Sequence, residues 1–168
     1  MTQVQDLIKP LLLSLPHPPR SVIYNALFSF LQQIPAPGGT AWNTFSQAIR
    51  HWDDVTAAEQ PALFLTRQLE MQTQKTGYGV TKIEFHSLVW IYFRADGMKT
   101  VDTYPDQYID PLKDAIEQLF QTNPPSGGRL TLGGNCQHCW INGSIYSENG
   151  LEDASGQAVV VFPVSILV

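Results

Sequence analysis

Charged side chains are scarce in this chain. They make up 15% of its 168 residues, against about 25% in typical soluble domains. The formal net charge is −5 and no cluster of Lys and Arg occurs, which argues against a general phosphate-binding surface for nucleic acid. The polar surface must therefore depend on Gln, Thr, Ser and Asn, or else be covered by partner molecules.

Cysteines and long apolar runs are scarce as well. Two cysteines cannot form a disulfide framework in a chain of this length. No run approaches the roughly 18 apolar residues that cross a bilayer. The run Leu11–Leu13 is bracketed by Pro10 and Pro16 and lacks the features of a signal peptide. We expect a protein that stays in a reducing cytoplasm until it joins an assembly, without contacting a membrane.

Apolar spacing predicts two helices and an N-terminal arm. Residues 1–15 can form a short amphipathic helix, and the proline-rich residues that follow set 1–19 apart as an arm. Ser21 is a suitable N-cap for the first helix, and Asp110 with Pro111 is a capping pair for the second. The predicted apolar stripes are Val4, Leu7, Ile8, Leu11, Leu12 and Leu15 in the arm, Val22, Ile23, Ala26, Leu27, Phe30, Leu31 and Ile34 in the first helix, and Ile109, Leu112, Ala115, Ile116, Leu119 and Phe120 in the second.

Alternating apolar residues predict a long hairpin from residues 62–71 and 80–94. One buried face is expected to carry Leu63, Leu65, Leu69 and Met71 from the first strand and Ile83, Phe85, Val89, Ile91 and Phe93 from the second. The other face of the second strand changes from Lys82, Glu84 and His86 to Leu88, Trp90 and Tyr92. The linked end of the hairpin should therefore extend beyond the core and contact another molecule. The candidate contact residues there are Thr73, Gln74, Lys75, Thr76, Gly77, Tyr78 and Gly79.

The last forty residues are predicted to contain only strands, at about 130–132, 136–146 and 157–168. Every even position from Ala158 to Val168 is apolar, which indicates a strand with one fully buried face. An apolar terminus needs a surface to lie against, in this chain or in a neighbouring copy. Pro163 cannot donate a ladder hydrogen bond, so the strand is predicted to lie at a sheet edge there. The further candidate contact residues are Val164, Ile166, Leu167 and Val168.

The order of these elements predicts a single α+β domain over residues 20–168. Two helices should pack against a mainly antiparallel sheet, with residues 1–19 as a helical arm. Residues 42–54 are interpreted as a strand followed by a turn.

The cluster Cys136-Gln137-His138-Cys139 is the one sequence that suggests redox or metal chemistry. A strand through it would point the two sulfur atoms to opposite faces. A zinc site would also need a second ligand pair, which the remaining histidines do not supply. The structural interpretation is therefore preferred, and no metal or cofactor is predicted.

The remaining polar landmarks do not form a catalytic group. His51 lies beside Asp53 and Asp54, but no nucleophile elbow or phosphate-binding loop accompanies it, so we interpret it as part of a solvated loop with a packed Trp52. Gly133 and Gly134 indicate a turn or bulge. His86 is given no role, and no catalytic residue is predicted.

Several short sequence segments, each of them only a weak motif, follow one another across residues 20–168. They are Val22–Phe28, Ile49–Val55, Gln60–Phe64, Leu132–Gly134, His138–Gly143 and Val159–Val164. Their joint order resembles that of the tail terminator (tail completion) proteins of long-tailed bacteriophages, the minor tail protein U-like group. The arm lies outside this resemblance.

The resemblance implies a structural virion protein without catalytic residues. Such a protein is expected to form a ring, a hexamer, at the head-proximal end of the tail, where it ends tube polymerisation and forms the interface for head–tail joining. Its partners would be copies of itself, the tail tube protein and a head–tail connector or neck protein. Genomic DNA would pass through an acidic lumen without specific binding. Assembly would take place in the bacterial host cytoplasm.

Three alternatives remain open. The chain can be another head–tail connector, a neck protein or a tube subunit. It can be a small thiol or metal-dependent enzyme that uses Cys136, Cys139 and a histidine. It can also be a host housekeeping domain without a role in the virion.

Overall fold

The computed structural model describes residues 17–73, 82–94, 106–122, 128–148 and 157–168. These ranges contain two helices, α1 (Arg20–Leu31) and α2 (Asp106–Thr122). They also contain six strands: β1 (Thr44–Ser46), β2 (Ala62–Thr73), β3 (Lys82–Arg94), β4 (His138–Ile141), β5 (Tyr146–Glu148) and β6 (Gln157–Leu167). Single 3₁₀ turns lie at Pro37–Gly39, Trp52–Asp54 and Ala57–Glu59.

The strands form one sheet in the order β1-β2-β3-β6-β4, and β5 pairs with β6 next to β4. Only the short β1–β2 pair is parallel, and all other pairs are antiparallel. The predicted combination of two helices with a mostly antiparallel sheet is therefore confirmed. The predicted arm falls almost entirely outside the described residues, since only residues 17–19 of it are described.

Both helices begin earlier than predicted. Ser21 is not the N-cap of α1, because Pro19 takes that position and no side chain caps the helix. Val22 points away from the core and is 42% exposed. The start of α2 lies at Asp106, so Pro111 falls inside the helix. Ile109 is fully buried against the sheet, and the longer helix is what brings it there.

One face of the sheet packs against both helices and forms the main core. Odd-numbered residues of β3 from Ile83 to Phe93 are buried on this face, as are the even-numbered residues from Ala158 in β6 to Val168 just after it, as the alternation predicts. Aromatic rings connect the layers, with centroid distances of 5.6 Å for Tyr24–Phe85, 5.2 Å for Phe30–Phe120 and 6.3 Å for Phe120–Phe162. The apolar C-terminal strand is therefore covered by its own chain.

The prediction that the last strand lies at a sheet edge near Pro163 is wrong. β6 pairs with β3 on one side and with both β4 and β5 on the other. The carbonyl oxygen of Pro163 accepts a hydrogen bond from Asn142 N at 3.1 Å. Because the N–H and C=O of one strand residue point to the same side, the missing N–H of Pro163 also faces Asn142. The ladder is interrupted at this point, between β4 and β5.

The predicted strand over residues 136–146 is correspondingly split into β4 and β5. The chain turns away from the sheet at Gly143 (φ 135°), where a Cβ atom would lie 3.1 Å from Pro163 Cγ. The close approach to the proline ring thus favours glycine at the break.

Residues 130–132 do not form the predicted strand. Leu132 has a φ of 49° and is followed by Gly133 and Gly134, both with positive φ. The turn is closed by a hydrogen bond from Gly134 N to Thr131 O at 3.0 Å. The predicted turn at the two glycines is thus confirmed.

The predicted strand and turn in residues 42–54 are also found, as β1 and a 3₁₀ turn.

A small second cluster covers one end of the opposite sheet face. Val55 packs there with Ala62, Phe64 and Tyr92, all of them buried. The Arg50 guanidinium group holds the covering segment in place, since it lies 5.8 Å from the Phe64 ring centroid and also bonds Glu59. This confirms that one end of β3 is covered on both faces.

Candidate assembly surface

A bulge in β2 decides which side chains the hairpin presents. The pairing with β3 shifts between Arg67, which lies opposite Ser87, and Leu69, which lies opposite His86. Facing residues of an antiparallel pair lie on the same face, and the extra residue of a bulge reverses the alternation that follows it. Leu69 and Met71 therefore lie on the face opposite the helices.

The prediction that one buried face runs from Leu63 to Met71 is therefore wrong beyond the bulge. Leu63 and Leu65 have exposures of 0% and 1%, whereas Leu69 is 55% and Met71 45% exposed. The hairpin end thus carries two large apolar side chains that the chain's own core does not bury.

Two charged residues of β2 take the helix side instead. The Arg67 guanidinium carbon lies 4.1 Å from the Tyr24 ring centroid. Arg20 Nε on α1 lies 3.0 and 2.9 Å from the two carboxylate oxygens of Glu70. Burial raises the pKa of the Tyr24 hydroxyl, with the Glu70 charge adding to the effect. These contacts hold the start of α1 against the hairpin.

We call the sheet face opposite the helices, outside the buried residues of the Val55 cluster, the open face; Trp90 at its border packs against that cluster. Pairing register places these residues on it: Leu69 and Met71 of β2, Glu84, His86, Leu88 and Trp90 of β3, His138 and Trp140 of β4, Tyr146 of β5, and Val161, Pro163, Ser165 and Leu167 of β6. Tyr146 is 59% exposed, and most of the others are partly exposed. Contiguous apolar surface of this kind is typical of interaction sites.

A polar row crosses the open face. Asn142 Nδ2 donates to Ser165 Oγ at 2.9 Å, and Ser165 Oγ lies 3.1 Å from His86 Nδ1. His86 Nε2 lies 3.3 Å from Glu84 Oε1, which is an ion-pair distance without the alignment of a hydrogen bond. The four side chains connect β3, β6 and the end of β4.

A serine, a histidine and a glutamate follow one another in this row, as in the catalytic triad of a serine hydrolase. Ser165, however, is fully buried. An amide nitrogen can only donate, so the hydroxyl hydrogen of Ser165 is available to His86 Nδ1. No substrate atom can reach the Ser165 oxygen in this conformation, and we interpret the row as a link between strands. The sequence gives no signal for this row, because its residues are far apart in the chain and share no local pattern.

Three of the four C-terminal contact candidates lie in the main core. Val164, Ile166 and Val168 have exposures of 1%, 0% and 6% on the helix side. They cannot contact another molecule while the fold is intact, and we withdraw them as contact candidates. Leu167 is partly exposed on the open face.

The hairpin candidates lie mostly beyond the described part of the chain. Thr73 is the last residue of β2. The other candidates, Gln74, Lys75, Thr76, Gly77, Tyr78 and Gly79, lie outside the described residues. Leu69 and Met71 are the exposed large apolar residues that lie nearest to them in the described sequence of β2.

Cys136 and Cys139 are both buried in the main core cluster. Cys136 precedes β4 rather than belonging to a strand, so the predicted divergence of the two side chains along one strand is wrong. Burial raises the pKa of Cys136 to about 11 and raises that of Cys139 well above its ordinary value. The thiolate that metal binding or redox chemistry needs is therefore disfavoured at neutral pH.

The loop around His51 is exposed, as predicted. The His51 ring nitrogen Nδ1 accepts a hydrogen bond from Asp53 N at 3.4 Å, across the 3₁₀ turn. Trp52 is 37% exposed and lies beside His51, with 5.5 Å between the ring centroids, instead of packing in a core, which corrects the prediction. Within the described ranges, no three His, Cys, Asp or Glu side chains are grouped to hold a metal ion.

Within the described residues, neither helix has the length and apolar character that crossing a membrane requires. No protein-family model matches the chain, and no curated protein matches it either. The resemblance to tail terminator proteins therefore stays a prediction, and the open face and hairpin end are the surface features on which it can be tested.

Proposed function

We propose that the chain is a structural virion protein that caps the phage tail tube. It forms a ring of six subunits, ends tail polymerisation and forms the interface for head–tail joining. Its partners are other copies of itself, the tail tube protein and a head–tail connector or neck protein. The observation that carries the proposal is the exposure of Leu69 and Met71 at the end of the hairpin, on the face turned away from the helices.

Apolar side chains exposed in this way favour association. Removing apolar surface from water stabilises a contact by about 25 cal/mol per Å² before the costs of association are included. Among the described strands, β1 pairs with β2 only from Ala62 to Phe64, so the outer edge of β2 beyond Phe64 has no partner strand. An unpaired edge next to two exposed apolar residues suits a contact that repeats around a closed ring.

The charge of the chain supports the role of a conduit. Each subunit has a formal net charge of −5, so the total negative charge of a ring grows with the number of its subunits. Repulsion between an acidic ring and phosphate groups disfavours specific binding of DNA, so the genome would pass through without being held. The low content of charged residues is consistent with a surface that is shared with neighbouring subunits.

The test mixes the purified full chain with purified tail tubes and observes the products by electron microscopy and mass measurement. The wild-type chain is expected to add single rings to tube ends. The variant Leu69→Asp/Met71→Asp should fold but fail to cap tubes. A matched control, Val22→Asp/Ile49→Asp, adds the same charge at two other exposed apolar positions and should cap normally.

Each outcome decides between specific alternatives. Filaments of the pure chain would identify a tube subunit instead of a terminator. A chain that stays solitary, both alone and with tubes and neck proteins, would overturn the proposed function. Capping by the Leu69→Asp/Met71→Asp variant at the level of the control would remove the hairpin end as the contact.

A further inference from the structure

The centre of the open face is apolar over three adjacent strands. Leu88 and Trp90 of β3 lie opposite Pro163 and Val161 of β6, and Tyr146 of β5 lies opposite Val161. Both described helices pack on the other side of the sheet. A sheet with one face in the core normally has a polar outer face, so this composition indicates a surface that is meant to be covered.

The chain has an apolar segment that is not used in the described fold. Residues 1–16 contain one acidic and one basic residue, and their apolar positions recur at helical spacing. These positions are Val4, Leu7, Ile8, Leu11, Leu12 and Leu15. Such a stripe needs an apolar partner surface.

The described structure places the attachment point of this segment on the helix side of β2, at the sheet edge next to the open face. The paired contacts of Arg20 with Glu70 fix the start of α1 on β2. Glu70 lies between Leu69 and Met71, which belong to the open face. Because β1 does not extend beyond Phe64 along β2, no described strand blocks the route around this edge.

The lengths allow the segment to reach the open face. Residues 16–19 would span about 12 Å in an extended conformation, close to the ~10 Å that separates packed layers. Residues 1–15 would span about 22 Å as a helix, and three interstrand spacings from β2 to β5 take about 14 Å.

We propose that residues 1–16 lie across the open face of their own chain, with the apolar stripe on Leu88, Trp90, Val161 and Pro163. Attachment at residue 17 holds the segment at a high effective concentration near this face, which favours the same chain over a second copy. The proposal does not depend on the proposed virion role.

Photo-crosslinking in the full chain tests the proposal. Tyr146 is replaced by the photoreactive amino acid p-benzoylphenylalanine, a conservative exchange at a position that is 59% exposed. A control carries the same amino acid at Gln121, which is exposed on α2 on the other side of the sheet. After irradiation, position 146 should crosslink to residues 1–16 in a product with the mass of one chain, and position 121 should not.

Two charge variants show whether the apolar stripe is responsible. Leu7→Asp/Leu11→Asp should greatly reduce the crosslink from position 146. Gln3→Asp/Gln5→Asp adds the same charge to the same segment outside the stripe and should leave the yield unchanged. Crosslinks that form only between two chains, that avoid residues 1–16, or that are equally strong in both variants would each overturn the proposal.

Discussion

Ser165 Oγ lies 3.1 Å from His86 Nδ1 and joins the neighbouring strands β3 and β6 on the open face. The same oxygen accepts a hydrogen bond from Asn142 Nδ2, so it also connects the sheet to the loop after β4. Ser165 is fully buried and makes both contacts on a face whose other residues are largely apolar. This position therefore offers a direct test of what the polar row contributes.

Replacing Ser165 with Ala should lower the free energy of unfolding by about 0.5–1.5 kcal/mol, because the substitution removes the hydrogen bonds to the partly buried His86 and the exposed Asn142. Urea denaturation of the variant and the wild type measures the change. Ser144→Ala, at an exposed loop position, should have little effect. Equal stability of the Ser165→Ala variant and the wild type would show that the row is dispensable.

The bulge in β2 predicts opposite results for two leucines that are four residues apart. Leu65→Ala should cost about 2–5 kcal/mol of stability, since it leaves a cavity in the main core. Leu69→Ala should change stability by no more than about 0.5 kcal/mol, since Leu69 is 55% exposed. A large loss at Leu69 in chemical denaturation would contradict the register described here.

The hydrogen-bonded carboxylate of Glu59 should make the folded chain less stable in acid. Hydrogen bonds from the Thr56 backbone N–H, the Arg50 side chain and the Thr56 hydroxyl lower the pKa of Glu59 from 4.5 to about 2. A lowered pKa in the folded state contributes stability that is present above pH 4.5 and is lost as the pH falls toward 2.

The variant Glu59→Gln should therefore be less stable than the wild type at pH 7. The difference between their urea midpoints should shrink steadily between about pH 5 and pH 2. Asp114→Gln, on the exposed side of α2, serves as the control for removing a carboxylate. A difference that is independent of pH over this range would show that the Glu59 charge is not involved.

The two buried thiols should make the folded chain less stable in alkali. Burial raises the pKa of Cys136 from 9.0 to about 11 and also raises that of Cys139. A raised pKa in the folded state contributes stability that is complete below pH 9.0 and is lost as the pH rises toward 11.

The urea midpoint of the wild type should therefore fall more steeply between pH 9 and pH 10.5 than that of Cys136→Ala/Cys139→Ala. Tyr24 and Tyr92 also have raised pKa values, but they are present in both proteins and cancel in the comparison. Parallel curves would mean that the thiols ionise as easily in the folded chain as in the unfolded one.

Local patterns predicted the parts of the fold that depend on neighbouring residues. Strict alternation in β3 and β6 identified both strands and their buried faces, from Ile83 to Phe93 and from Ala158 to Val168. The helical stripe identified α1, and the glycines at 133 and 134 identified a turn. In each of these cases the backbone period alone decides which side chains share a face.

Contacts between distant residues were not predictable in the same way. The bulge after Arg67 carries no glycine or other signal in the sequence, and it moves Leu69 and Met71 from the expected core to the surface. The early start of α2 at Asp106 was missed because the capping pair at Asp110 and Pro111 is locally convincing.

By itself the sequence determined that residues 20–168 contain α1 and α2, long alternating strands and an apolar C-terminal run, because these follow from spacing along the backbone. Only the tertiary structure decided that this run is buried by α1 and α2 of the same chain, and that Leu69, Met71 and Tyr146 are left exposed by the other described residues. Burial depends on which elements meet, and that is set by packing between residues far apart in the sequence, such as His86 and Ser165.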